Sequence, residues 1–293
     1  MLRFTPPPGW PAPPEGFVPP PGWQPDPSWP AAPPGWNFWQ PARRSWALDR
    51  AVAATPDRGW SIRLGVYPVL ALVAVLVAEG VLLAGTGWRP HGLTRYVAFS
   101  VVALLHYAAA LAVIARLGRT AVRSAGGWGP AFGWSRPRPI DLALGLGGAV
   151  AEFIGRIVVA VLLVAAVPAL RGRAESNVEL SGRPVAEIVL LLILAVVVAP
   201  PVEELIFRGV LLRSLMRRIR FWPAALVSSA LFAALHLYEV HTAAAMVLLF
   251  ASIAVFGIGQ CLLVRWTGRL ATSITAHAVS NAAAALLTLA AGR

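Results

Sequence analysis

The chain has 293 residues, of which 57% are hydrophobic and 13% charged, and its mean hydropathy is +0.67. A soluble domain carries about 25% charged residues, so this composition excludes a water-soluble globular fold and points to a bilayer. The net charge of +12 does not make a nucleic-acid binder either, because the arginines stand between apolar blocks rather than on one basic surface.

From Met1 to about Ala42 the chain is mostly Pro, Gly, Trp and Ala, with a Pro-Pro-Gly-Trp unit ending at Trp10, Trp23 and Trp36. Proline removes backbone donors and glycine interrupts polyproline II, so residues 1–45 are expected to form an extended, disordered tail. Exposed Trp in a Pro-rich frame also suits a docking arm for a partner or the lipid interface. No compact basic, apolar and small-residue order marks a cleavable signal, so the tail is expected to stay on the protein.

A basic juxtamembrane segment, 46–63, follows. Apolar spans then fall at 64–85, 96–115, 140–167, 185–212, 222–237, 243–264 and 270–290, each near the roughly 20 residues a bilayer demands. The expected fold is all-α: a transmembrane bundle of about seven to eight spans, with two N-terminal helices and a basic loop at 64–139 and a core at 140–293.

Arg43, Arg44, Arg50, Arg58 and Arg63 precede the first span, Arg116 to Arg138 follow the second, Arg213 to Arg220 the fourth, and Arg265 and Arg269 the sixth. The opposite connections hold fewer: Arg89 and Arg95, then Arg171, Arg173 and Arg183 diluted by Glu175 and Glu179. The positive-inside rule therefore puts the N-terminus in the cytoplasm. Every basic residue is Arg and none is Lys, which reads as a coding bias and a prokaryotic cell membrane. Pro200 and Pro201 predict a kink or break in the fourth span. Cys261 is the only cysteine, which excludes an intrachain disulfide and a cysteine metal site.

Ionisable residues inside spans cost a few kcal/mol and are functional candidates by default. Glu79 and His106 stand alone in their spans. Glu187 and Asp141 lie near span ends, within reach of headgroups, and Glu152 and Arg156 have the i,i+4 order of a helix pair. For all of these, structural pairing or snorkelling is the plainer reading.

The last third differs, because polar clusters recur in successive spans: Pro200-Pro201-Val202-Glu203-Glu204 with Arg208, then Phe232 with His236, then His277 with Asn281. At ~1.5 Å per residue from the arginine-marked edge, all of them fall in the middle zone of a ~30 Å core. They are placed to meet in one water-holding cavity. Arg208 lies one turn from Glu204, so it should hold that carboxylate and leave Glu203 facing the cavity as a general base.

Glu-Glu-x-x-x-Arg, Phe-x-x-x-His and His-x-x-x-Asn, in that order on membrane helices, resemble the type II CAAX prenyl endopeptidase and bacteriocin-processing group of intramembrane proteases, often called CPBP. The likeness runs from about Asp141 to Ala290 and is strongest from Ala199 to Ala284. Phe207 and Gly209 around Arg208 also match, as does Thr267-Gly268. The resemblance implies cleavage of a membrane-associated protein or peptide, with Glu203 activating water and His236 beside it. It further implies that Glu204 and Arg208 shape the site, while His277 and Asn281 bind metal or stabilise the oxyanion.

Glu203, His236 and His277 have the makeup of a zinc site with an open position. The same groups can run a metal-independent glutamate and histidine mechanism, and both readings stay open. Two other classes stay open as well: an inactive relative serving as a membrane scaffold, with its polar groups only joining helices, and a proton- or cation-coupled transporter.

Overall fold

Long apolar blocks can leave water only as structures that satisfy their own backbone groups, which for this chain means helices. The computed structural model describes residues 2–14, 17–41, 46–87, 92–173 and 183–291, in two units, Met1–Ser45 and Trp46–Arg293. Arg43, Arg44, Arg89, Glu175 and Glu179, which enter the charge count above, lie outside the described residues.

The larger unit contains α1 (Ala47–Ala54), α2 (Ile62–Thr86), α3 (Gly92–Leu117), α4 (Arg119–Ala125), α5 (Trp128–Phe132) and α6 (Pro139–Ala166). After these come α7 (Val185–Met216), α8 (Phe221–Ala234), α9 (Ala243–Thr267) and α10 (Leu270–Ala291). Among the described residues, six helices are long and apolar enough to cross a membrane: α2, α3, α6, α7, α9 and α10. The protein is thus an all-α, polytopic integral membrane protein.

About seven to eight spans were expected, and the block at 222–237 supplies the seventh apolar helix, shorter than the other six. It forms α8, with 14 residues and a length of about 21 Å, too short for a ~30 Å core. His236 ends it: past the last helical turn its Nδ1 binds the Phe232 carbonyl at 2.8 Å, and a short 3-10 turn, Leu237–Glu239, follows. A helix terminus leaves carbonyls without partners, and here a side chain takes one of them.

Helix α6 packs on α9 and α10, α8 on α9, and α2 on α3, while α7 touches α2, α3 and α10. Small residues set the approach of α8 and α9: a Cβ on Gly257 would come within 2.9 Å of Ser229. Membrane helices gain contact by this close packing, since lipid offers little hydrophobic drive between them.

Helix α7 runs without a break through 32 residues, so the kink or break expected at Pro200-Pro201 takes another form. Two π-helical stretches, Ile193–Val198 and Leu205–Leu211, flank an α-turn over Ala199–Glu204. Widened turns accommodate the proline rings, which would otherwise clash with carbonyls of the preceding turn.

Three expectations about isolated charges change. Asp141 is buried rather than reaching headgroups: it accepts from Arg269 Nη2 at 2.7 Å, Thr272 Oγ1 at 2.9 Å and the Arg138 amide at 2.8 Å, stapling the start of α6 to α10. Glu187 is buried as well. Glu152 and Arg156 do not close into a salt bridge. Gln260 Nε2 donates to Glu152 at 3.2 Å and Arg156 Nε donates to Ser252 at 2.8 Å, because α9 offers both of them polar partners.

One end of this unit gathers the arginines at the C-terminal ends of α7 and α9. Arg213, fully buried, donates to the Gly268 carbonyl at 2.9 Å. Arg217 pairs with Asp57 and stacks 4.5 Å from the Trp60 ring. Arg265 pairs with Asp49 of α1 at 3.2 Å and lies 4.0 Å over the Phe221 ring.

The smaller unit corrects the expectation of a disordered tail. Strands β1 (Leu2–Phe4) and β2 (Trp39–Pro41) pair antiparallel, with Phe4 opposite Trp39. Each Pro-Pro-Gly-Trp unit closes a turn by a bond from its Trp amide to the first proline's carbonyl, at 3.2, 3.0 and 3.0 Å. Gly9, Gly22 and Gly35 supply the positive φ that such a type II turn requires. The turns gather Trp10, Trp23, Trp29, Phe4, Phe17 and Phe38 into one cluster, with neighbouring ring centroids 5.2–6.4 Å apart. The repeated turn, which a linker reading of the composition leaves out, makes this cluster.

Candidate active site

The widened turns of α7 free backbone groups that other helices then occupy. The π register pairs each amide with the carbonyl five residues earlier, and Pro200 has no amide to give Ala195. Asn281 Nδ2 on α10 donates to that carbonyl at 2.8 Å. Ser228 Oγ on α8 donates to the Phe207 carbonyl, in the second widened turn, at 3.1 Å. The proline pair and the polar residues of the other helices therefore fit one another, and α7 is held where its glutamates meet α10.

At the centre, Glu204 and Arg208 are fully buried and pair at 3.0 Å between Oε1 and Nη1, as their one-turn spacing implies. Arg208 also donates through Nη2 to the Gly257 carbonyl at 3.1 Å, and its Cζ lies 4.7 Å from the Phe232 ring centre. The guanidinium is thus bound on three sides by a carboxylate, a carbonyl and an aromatic face, which offsets the cost of placing it in the bundle.

His277 joins the two acids. Its Nδ1 lies 3.0 Å from Glu204 Oε1 and its Nε2 3.7 Å from Glu203 Oε2. An ionised carboxylate only accepts, so Nδ1 is the donor toward Glu204 and the ring turns its other nitrogen to Glu203. Phe256 packs edge-on against the imidazole at 4.8 Å, and Phe232 stands 5.9 Å away.

Glu203 is the more open acid, with 14% of its side chain exposed against none for Glu204. Its Oε1 accepts a hydrogen bond of 2.6 Å from Tyr107 Oη on α3. His236 stands at the end of α8 with its ring 4.8 Å from that of Phe232. Nδ1 donates to the Phe232 carbonyl, which leaves Nε2 as the nitrogen open to another partner.

The structure therefore brings Glu203, Glu204, Arg208 and His277 into one network. His236 stands beside it across Phe232, and Asn281 faces the widened turn of α7. The possible metal set of His236, His277 and Glu203 does not come together as one: among the described residues no three His, Cys, Asp or Glu side chains form a group that could hold a metal ion.

Tyr107 is the residue that motif reasoning misses. The available signal was depth: Tyr107 lies nine residues before Arg116 and Glu203 ten before Arg213, so at ~1.5 Å per residue both sit about 14–15 Å from the arginine-marked edge. Its neighbour His106, the more conspicuous residue, binds only its own helix, at the Val102 carbonyl, 2.7 Å away.

The family described as type II CAAX prenyl endopeptidase Rce1-like matches residues 185–283, the stretch that holds Glu203, Glu204, Arg208, His236, His277 and Asn281. The resemblance to the CPBP proteases is thereby shown, and the family is one of proteases. No curated protein and no solved structure matches the chain.

Proposed function

We propose that the protein is an intramembrane endopeptidase that hydrolyses a peptide bond in a membrane-associated protein or peptide, with Glu203 as the general base. The observation that carries this reading is the unequal pair of neighbouring acids. Glu204 is committed to Arg208 and His277, whereas Glu203 keeps an oxygen, Oε2, at 3.7 Å from His277 and a partly open side chain. A base needs a lone pair within reach of water, and of the two acids Glu203 has the exposed side chain while Glu204 is fully enclosed.

In the proposed cycle Glu203 Oε2 takes a proton from a water as the oxygen attacks the scissile carbonyl, and His236 Nε2 is a second acceptor that orients this water. The proton then passes to the departing amine. His277 lies between the two acids, with Nδ1 on Glu204 and Nε2 toward Glu203, so in the proposed cycle its imidazole is placed to relay a proton. Asn281 commits one amide hydrogen to Ala195 and keeps a second for the developing oxyanion. No step is routed through a metal. The excess of arginine at one end of the bundle supports a cytoplasmic N-terminus, and the coding bias supports a prokaryotic cell membrane.

Glu203→Gln tests the reading. In liposomes, cleavage of membrane peptides should fall by roughly 10²–10⁴-fold, with thermal stability within about 2 °C of wild type. Unchanged turnover would remove Glu203 from the mechanism. Ion flux without any cleaved product would instead mark a transporter.

A further inference from the structure

All three motifs lie within residues 203–281, yet the shortest polar contact to Glu203 comes from outside them. Tyr107 Oη reaches Glu203 Oε1 at 2.6 Å across 96 residues of sequence, from a helix that precedes the family-matched segment 185–283. An O–H···O⁻ contact of 2.5–2.7 Å belongs to the strong, charge-assisted class.

The terminal torsion of a glutamate is soft and nearly two-fold, so an unrestrained carboxylate presents either oxygen. Here one oxygen is held from α3 and the other faces α10, where His277 Nε2 lies 3.7 Å from Oε2. The bond is placed to decide which lone pairs are left for water. Its geometry is also stiff at the donor end, because a phenol oxygen lies in its ring plane and Tyr107 is packed against the core of the bundle.

We propose that Tyr107 is a positioning residue of the active site: its phenol fixes the Glu203 carboxylate so that Oε2 meets the hydrolytic water, and α3 is thereby part of the catalytic apparatus. This inference rests on the peptidase reading. It assigns the N-terminal helices a function beyond anchoring.

The test uses the full chain in liposomes, with a quenched-fluorescence CAAX-type peptide as probe and isotope-edited infrared spectroscopy of labelled glutamate. Tyr107→Phe should lower kcat roughly tenfold to hundredfold, the range for losing one hydrogen bond to a charged group, while KM stays within about twofold. It should also shift the carboxylate band that Glu203→Gln removes. A role in packing alone would move neither kcat at constant KM nor that band.

If Glu203→Gln abolishes turnover but Tyr107→Phe leaves kcat unchanged, or leaves the band in place, the positioning role is overturned and the peptidase reading stands. If wild type turns the probe over no faster than Glu203→Gln, both fall together. Should Tyr107→Phe fail to fold, 3-fluorotyrosine at position 107 keeps the ring and its contacts while altering the phenol's acidity. A changed kcat and a moved band then support the assignment, and no change overturns it.

Discussion

Charged side chains are buried in two regions of the bundle, and they are used differently. At the arginine-rich end, Asp141 accepts from Arg269, Thr272 and the Arg138 amide, so both of its oxygens are taken. In the middle, Glu204 has Oε1 on Arg208 and His277 and is wholly enclosed, whereas its neighbour Glu203, with one oxygen on Tyr107 and the other beyond hydrogen-bond distance of His277, keeps a partly open side chain. An enclosed carboxylate bound to its neighbours joins helices, whereas one held on a single side and open on the other can also take a proton from water. Access to an open oxygen separates the chemistry from the scaffold here.

The sharpest way to break this comparison is to unbalance the middle region. Arg208→Ala removes the guanidinium that pairs with the buried Glu204 and should destabilise the protein by about 3–5 kcal/mol, the cost of breaking a buried ion pair from one side. Thermal unfolding in detergent should show this, with cleavage lost alongside stability. A variant that keeps both would mean that Glu204 is not a bound carboxylate.

Asp141→Asn attacks the end region with the side-chain size kept. It should cost about 2 kcal/mol, the contribution of hydrogen bonds to a charged group, and leave the specific activity of the folded fraction near wild type. A fall in kcat without a fall in stability would show that the end staple and the site are coupled. Together with Glu203→Gln, which should spare stability and remove turnover, the two variants separate scaffold from chemistry in opposite directions.

The sequence made the site more legible than the turns that carry it. Glu204 and Arg208 were readable because one helical turn and opposite charge suffice to pair them. The polar residues of α7, α8 and α10 were readable because charge in an apolar span is costly. Tyr107 was not, since a phenol is cheap in such a span and its partner is 96 residues away. The position of His236 beyond the end of α8 was hidden because apolar runs do not show where a helix stops. The two π-helical stretches were hidden as well: prolines announce a disturbance of the ladder, and only the other helices decide whether it becomes a kink or a widened turn. In the first 45 residues, composition suggested disorder, whereas Gly9, Gly22 and Gly35 close turns that pile up the Trp rings.

The smallest expected effect gives the finest test of depth. Asp49 and Arg265 pair at 3.2 Å with side chains 27% and 18% exposed, so water and ions reach them, unlike the pair formed by Glu204 and Arg208 with no exposure at all. Asp49→Asn should cost no more than about 1 kcal/mol, and raising the salt from 0.01 to 1 M, which shortens the screening length from about 30 to 3 Å, should reduce the difference further. The destabilisation by Arg208→Ala should not respond, because counter-ions cannot approach a charge enclosed by Gly257, Phe232 and Glu204. If both variants showed the same salt dependence in melting experiments, the middle region would be as wet as the end, and a site that meters water to one carboxylate oxygen could not be built there.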